Sequence, residues 1–215
     1  MIIVFEGPDC CGKSTLLASV AEQLRSEGDD TYELHMPVRS ISAYIGKHLR
    51  DGNNPFHAQL ESLHQQQHVA TMYASCRQNA HKHLLLSRWF PSTYVYGMED
   101  FCKLMPADAA DELLAAMGDF SPAPDLGYVV LPLLSEVLDR MRQRKGAHDI
   151  YEDNIPIIQR IYEGYASIFS FTSPKLAWLR PYHVHLTTEH STVEALTAEV
   201  MKLIDYIRGP IGHAI

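Results

Sequence analysis

The sequence predicts an α/β fold, a five-stranded, doubly wound parallel sheet covered by helices. Three observations lead there. Short apolar runs at residues 1–5, 31–35, 83–86, 128–131 and 182–186 alternate with longer amphipathic stretches, the pattern of strands joined by crossover helices. A glycine-containing turn, Gly7-Pro-Asp-Cys-Cys-Gly12, separates the first apolar run from the first helical one. No internal repeat or low-complexity linker interrupts the 215 residues, 46% of them apolar, so one compact domain over 1–215 is expected.

The elements follow in order. Residues 14–26 form a helix after the first strand. Residues 41–49 read as a short helix stopped by Asp51-Gly52, and 55–82 as a long helix with a polar side. After the third strand, 91–104 and 107–117 are helical, and Ser121-Pro-Ala-Pro breaks the run. Residues 134–145 make a basic helix leading into a loop at 145–153, and 155–171 a further helix. Ser191 with Glu194 has capping-box spacing and is expected to start the last helix, which ends near 207.

Composition removes several classes of function. The formal charge of −8 disfavours a polynucleotide partner, which calls for a basic footprint. The longest apolar runs are too short for a membrane span. The opening MIIVFEG has neither the basic nor the long apolar region of a secretory leader, so a cytoplasmic location is expected. Cys10, Cys11, Cys76 and Cys102 show no C-x-x-C spacing and fit reduced thiols. Among twelve histidines, the pairs His64/His68 and His183/His185 lack a third ligand at standard spacing, so no zinc site is expected.

Gly7-Pro-Asp-Cys-Cys-Gly12-Lys13-Ser14 fits G-x-x-x-x-G-K-[ST] between a strand and a helix. The layout follows from the chemistry of phosphate. Glycines let the backbone curl until successive N–H groups point inward, and the positive end of the next helix adds to that nest. Residues Gly7, Asp9, Cys10, Cys11, Gly12, Lys13, Ser14 and Thr15 are thus the candidate cup for ATP. Lys13 would neutralise the β- and γ-phosphates, and the Ser14 hydroxyl would hold Mg²⁺.

The surrounding residues narrow the class. Phe5-Glu6-Gly7-Pro8-Asp9 through Lys13-Ser14-Thr15 resembles the F-E-G-x-D-x-x-G-K-[ST]-T opening of thymidylate kinases. Ser87-Arg88-Trp89-Phe90-Pro91-Ser92-Thr93-Tyr94-Val95-Tyr96-Gly97 is similar to that family's D-R-[YFH]-x-x-S-x-x-A-Y-x-G. Pro124-Asp125-Leu126, the run from Leu138 to Arg144, Asp149-Ile-Tyr-Glu152 and Arg160 to Tyr165 follow its order. The resemblance implies the P-loop NTPase fold of nucleoside monophosphate kinase type. It also implies that Asp9 reaches the acceptor's 3′-hydroxyl and that Arg88 grips the acceptor phosphate. A planar guanidinium suits that task because it pairs bidentately with phosphate and stays charged. Plainer readings are a turn-capping Asp9 and a surface Arg88.

Arg39 is a second candidate for the acceptor phosphate, and Ser92, Tyr96 and Glu152 are candidates for its pocket. Arg140, Arg142, Arg144 and Lys145 resemble the family's lid, at about 140–153, with Arg142 and Arg144 expected on ATP. Cys10 stands where some thymidylate kinases carry an arginine, which would leave the lid to supply positive charge.

Three departures concern the acceptor. Ser87 replaces the acid before Arg88, and Glu6 and Asp149 are the candidates to take its place. The helix segment expected to carry a base-contacting arginine reads His64-Gln65-Gln66-Gln67-His68, and Gly97 replaces a glutamine. An amide offers both donors and an acceptor, making Gln66 and Gln67 candidates for the base edge; solvent exposure is the alternative. Phe56 or Tyr73 would stack on the base. The expected reaction is ATP-dependent phosphorylation of a pyrimidine deoxynucleoside monophosphate, modified bases included. Alternatives are phosphorylation of a hydroxyl on a nucleoside or on a base in DNA, and a non-catalytic nucleotide-binding module. By analogy with the family, a homodimer would use the helix face near 60–80; packing of that face against the chain's own sheet is the equal alternative.

Overall fold

The computed structural model describes residues 1–36, 55–76, 82–143, 154–170, 178–186 and 191–209. Five strands, β1 (Ile2–Glu6), β2 (Asp30–His35), β3 (Lys82–Ser87), β4 (Leu126–Leu131) and β5 (Tyr182–Leu186), form one sheet in the order β2-β3-β1-β4-β5. All neighbours run parallel. The helices are α1 (Lys13–Ser26), α2 (Pro55–Cys76), α3 (Phe90–Phe101), α4 (Ala107–Gly118), α5 (Leu134–Gln143), α6 (Ile155–Ser170) and α7 (Val193–Arg208).

Burial explains why the central strands read as unbroken apolar runs. Every residue of β1 and β4 is buried, as a parallel sheet covered on both faces requires. Successive side chains point to opposite faces. Ile3 and Phe5 join Leu85, Tyr128 and Val130 against Leu16, Leu17, Val20 and Leu24 of α1 and Leu196, Val200 and Ile204 of α7. Val4 and Leu86 face the other way, toward Phe90 and Val95 of α3, Leu114 of α4 and Ile161 and Tyr165 of α6.

Where the expected strands and helices fall on described residues they are present, with some ends shifted by a few residues. β4 begins at Leu126, since Leu126 and Gly127 already pair with Ile3 and Val4 of β1. α3 ends at Phe101 because residues 102–104 form turns rather than a further helical turn. The last helix corrects the expected cap. Thr192, extended at φ −87° and ψ 160°, is the N-cap, and its hydroxyl accepts from the Ala195 N–H. Ser191 instead lies 3.3 Å from His185 Nε2. The expected helix at 41–49, the loop at 145–153 and Cys76's side chain lie outside the described residues. Among the described residues, no helix is long and apolar enough to cross a membrane.

The path of the chain sets the place of the site. It leaves β1 for β2 and β3 on one side, then returns to β4 and β5 on the other. In open α/β sheets, ligands lie beyond the carboxyl ends of the strands at such a switch. Two segments leave the sheet there, residues 7–12 after β1 and Arg88 after β3.

Candidate active site

Residues 7–12 turn sharply because three of them adopt positive φ: Gly7 at 137°, Cys10 at 60° and Gly12 at 102°. A Cβ on Gly7 would stand 2.3 Å from the Val130 carbonyl oxygen, so the loop approaches β4 more closely than any side chain permits. Gly12 is the N-cap of α1 and supplies no side-chain cap. The positive end of that helix therefore faces the loop. Ser14 and Thr15 are exposed in its first turn, while Cys11 is buried beneath the loop.

Lys13 is buried, and its ammonium donates to the carbonyl oxygens of Gly7 (2.9 Å) and Pro8 (2.6 Å), with Cys11 Sγ at 3.6 Å. Its charge thus rests inside the curl of the loop. From α5, Arg140 donates to the Cys11 carbonyl oxygen at 3.1 Å and to Glu136 at 3.2 Å. It also lies 3.8 Å from where a Cβ on Gly12 would be. The helix therefore brings Arg140 to the loop. Arg142 points elsewhere, exposed and paired with Asp139 at 2.9 Å. The inward face of α5 is set by buried Val137 and Met141, and Arg142 falls outside it.

Beside the loop stands a charged cluster. Arg88 takes φ 75°, an uncommon conformation for a residue with a Cβ. Its guanidinium donates to Asp9 Oδ1, to the Tyr96 hydroxyl at 3.1 Å and to Ser92 Oγ at 3.4 Å. Its central carbon sits 4.7 Å from the centre of the Tyr96 ring, a favourable cation–π distance. Tyr96 in turn donates to Asp9 Oδ2. Burial pushes the Asp9 carboxyl up, but the charges of Arg88 and Lys13 and the Tyr96 hydrogen bond outweigh it and lower its pKa to about 2. Asp9 is therefore an anion across the ordinary pH range.

Glu6, the last residue of β1, is fully buried. Its Oε1 accepts from the backbone N–H groups of Trp89 and Ser92, and its Oε2 from Ser92 Oγ (2.6 Å) and the Tyr165 hydroxyl (2.9 Å). Burial raises its pKa against those hydrogen bonds and the nearby Arg88 charge. With both oxygens already engaged, Glu6 is poorly placed to stand in for the acid replaced by Ser87. Glu6 was expected only as a stand-in for that acid, and Tyr165 only as part of a family-like segment; neither was expected to frame the turn at Arg88. A lone glutamate in an apolar strand was the one available clue.

The structure brings Asp9, Lys13, Arg88, Ser92 and Tyr96 together, and Arg140 joins the loop. Gln66 is buried between α2 and α3. Its amide donates to Thr93 Oγ1 and accepts from Ser121 Oγ, each at 2.9 Å. The side chain thus links Thr93, next to Ser92, to the segment after α4. Gln67 is exposed and donates to the Phe120 carbonyl oxygen. Tyr73 donates to the Lys82 carbonyl oxygen at 3.0 Å and accepts from the chain's amino group. It therefore sits at the amino end of the strands, opposite the phosphate loop, which corrects the expectation that it stacks on a base. Arg39, Arg144, Lys145, Asp149, Glu152 and the Phe56 side chain lie outside the described residues. Among the described residues, no three His, Cys, Asp or Glu side chains group as a metal site.

Comparison with known proteins agrees with the motifs. No family model matches the chain. Over 211 residues it is 28% identical to probable thymidylate kinases of Methanococcus maripaludis strains C7 and C6, covering 95% of this chain and 96% of each relative. A solved thymidylate kinase from Candida albicans, described as having broad substrate specificity, shares the fold at a TM-score of 0.72 and 18% identity. That match covers 96% of this chain and 92% of the other. Similarity runs along nearly the whole chain and the motifs around Asp9 and Arg88 fold into one cluster, so the chain is similar to thymidylate kinases in sequence and shares their fold.

Proposed function

We propose that the chain transfers the γ-phosphoryl group of ATP to a pyrimidine deoxynucleoside monophosphate, giving the diphosphate and ADP. One observation carries the reading beyond nucleotide binding. The anionic Asp9 and the cationic Arg88 meet beside a loop that already holds the Lys13 ammonium. A hydroxyl acceptor and a phosphate acceptor thus lie next to a triphosphate cup, the pair of contacts that a sugar monophosphate needs. The relatives named thymidylate kinase support the same class of reaction, so a nucleoside or DNA acceptor and a purely regulatory role are not required.

Phosphoryl transfer depends mainly on positioning and on neutralising charge. The curled residues 7–12 and the uncapped start of α1 suit the β- and γ-phosphates. Lys13 would turn from the Gly7 and Pro8 carbonyls to phosphate oxygens, and Arg140 is near enough to add a second cation. Arg88 would hold the acceptor phosphate against the γ-phosphate, and Asp9 would accept the sugar hydroxyl. Tyr96 would pack beside that sugar. Gln66, pinned by Thr93 and Ser121, is the better placed of the two glutamines for the base side.

Exposed Ser14, at the start of α1 beyond the loop, fits Mg²⁺ by its hard oxygen and its place. The ion, held by the Ser14 hydroxyl, would supply neutralisation of phosphate charge. Arg142, paired with Asp139, is left out of this set, whereas Arg144 for ATP and Arg39 and Glu152 for the acceptor stay candidates that lie outside the described residues.

The test is a panel of nucleoside monophosphates and nucleosides assayed with ATP and Mg²⁺. The expected result is turnover of dTMP or a related pyrimidine monophosphate and none of free nucleosides. Turnover of nucleosides alone would overturn the proposal.

A further inference from the structure

We propose that Glu6 is a positioning residue for Arg88: its carboxyl frame fixes the left-handed turn after β3 and thereby aims the guanidinium at the phosphate loop. The inference rests on reading Arg88 as the acceptor-phosphate group.

The sheet register puts the two residues side by side. Phe5 of β1 pairs with Ser87 of β3, so the next residues along, Glu6 and Arg88, leave the sheet together. Both peptide groups flanking Arg88 are then tied to consecutive residues of β1. The Arg88 N–H donates to the Phe5 carbonyl oxygen at 3.0 Å, and the Trp89 N–H donates to Glu6 Oε1. A left-handed residue with a Cβ costs about 1–2 kcal/mol, and it persists only where its surroundings over-determine it. These two hydrogen bonds grip the backbone on either side of φ 75°.

Glu6 also does for α3 what α3 does not do for itself. The N-cap residue, Trp89, has no side-chain cap, and its ring is committed to the Pro122 carbonyl oxygen at 2.8 Å. Glu6 accepts instead from Trp89 N–H and from Ser92 N–H at 3.2 Å, which satisfies donors that a helix start leaves open. The other oxygen ties Ser92 Oγ and Tyr165 of α6 into a triangle of 2.6, 2.9 and 2.7 Å contacts. Arg88 Nη1 reaches that triangle through Ser92 Oγ at 3.4 Å. The guanidinium is therefore anchored at its backbone and at one nitrogen, leaving Nη2 toward Asp9 and the acceptor side.

Three oxygen–oxygen contacts in this triangle share two hydroxyl protons, so an amide in place of the carboxyl completes the set instead of breaking it. Glu6→Gln should keep the frame, whereas Glu6→Ala removes it. The experiment has two arms. In the first, calorimetry follows dTMP and MgATP separately. Glu6→Ala should weaken dTMP about tenfold and MgATP less than about twofold, the loss expected for hydrogen bonds that place a charged group. Glu6→Gln should stay within about threefold of wild type for both ligands. On an Arg88→Ala background, Glu6→Ala should weaken dTMP by no more than about twofold, because a residue acting through another loses its effect when the other is gone. Equal losses for both ligands, an undiminished effect without Arg88, or a Glu6→Gln as damaged as Glu6→Ala would each overturn the proposal.

The second arm needs no substrate. In ¹⁵N-arginine-labelled protein, the Arg88 side-chain signal, assigned by its loss in Arg88→Lys, should be sharp in wild type and broadened in Glu6→Ala, with Arg140 unchanged. A sharp, unshifted Arg88 signal in Glu6→Ala refutes the inference. If wild type binds no nucleoside monophosphate, the functional reading falls, and the spectroscopic arm still decides the role of Glu6. Should Glu6→Ala not fold, Tyr165→Phe removes one donor to the same carboxyl without touching Arg88. It should broaden that signal, and an unchanged spectrum counts against the proposal.

Discussion

Asp9 shows how one residue couples stability to the site. Its carboxyl is one-fifth exposed and tied to Arg88, and its pKa falls from 3.8 to about 2 on folding. A depressed carboxyl stabilises the fold fully above the unfolded value and loses that contribution as pH drops toward the folded one. The shift is worth about 2 kcal/mol near neutrality, with about half gone by pH 3. Urea unfolding of wild type and Asp9→Asn should show a gap of that size at pH 6 that narrows at pH 3. A constant gap would mean that Asp9 contributes by some other route. Gln66 marks the limit of reading such residues from sequence. A glutamine on a helix is ordinarily solvated or reaches a ligand, whereas this one is buried because Thr93 and Ser121, from two other elements, meet its amide. Nothing local to positions 64–68 announces those partners.

Among the elements, α5 and α7 carry the clearest expectations. Arg140 touches the phosphate loop and Arg142 does not. Arg140→Ala should therefore raise the KM for ATP about tenfold, while Arg142→Ala, losing only an exposed ion pair, should change it less than about twofold. Steady-state kinetics with varied ATP reads both, and the reverse order would show that α5 turns when nucleotide binds. At the start of α7, Thr192→Ala should cost about 1 kcal/mol in urea unfolding. Ser191→Ala should stay within about 0.5 kcal/mol, since Ser191 does not cap the helix. The phosphate loop and the strands were legible because their patterns are local: Gly7 to Ser14 in one run, and apolar stretches such as Ile2–Phe5 for a sheet buried on both faces. The choice between Ser191 and Thr192, or between Arg140 and Arg142, depends on a single backbone angle or a helix rotation. Residue spacing fixes neither.

Across the whole molecule, the two ends of the sheet differ in chemistry. The carboxyl end holds the phosphate loop. The amino end holds a buried His83 beside Asp29 (3.2 Å), Arg208 and the chain's amino group (3.4 Å). Burial first, then the charges of the amino group and Arg208, lower the His83 pKa from 6.5 to about 4, against the pull of Asp29. The unfolded chain therefore binds a proton that the folded one refuses between those values, and stability falls as pH drops through 6.5. Wild type should lose about 2 kcal/mol from this source between pH 7 and pH 5, and His83→Gln should not. Parallel urea titrations of the two proteins check this, and matching slopes would remove His83 from the account. At the other end, Arg88 and Asp9 satisfy each other before any ligand arrives. If the sugar hydroxyl takes the carboxylate and the phosphate takes the guanidinium, a monophosphate swaps one anion for another at Arg88. A bare nucleoside can only pull the partners apart. Arg88 is only partly buried, so stranding its charge costs less than the about 3–5 kcal/mol of a fully buried pair, on the order of tenfold to a hundredfold in binding. The Asp9–Arg88 pair would thus disfavour unphosphorylated acceptors by means of a bond the site makes with itself.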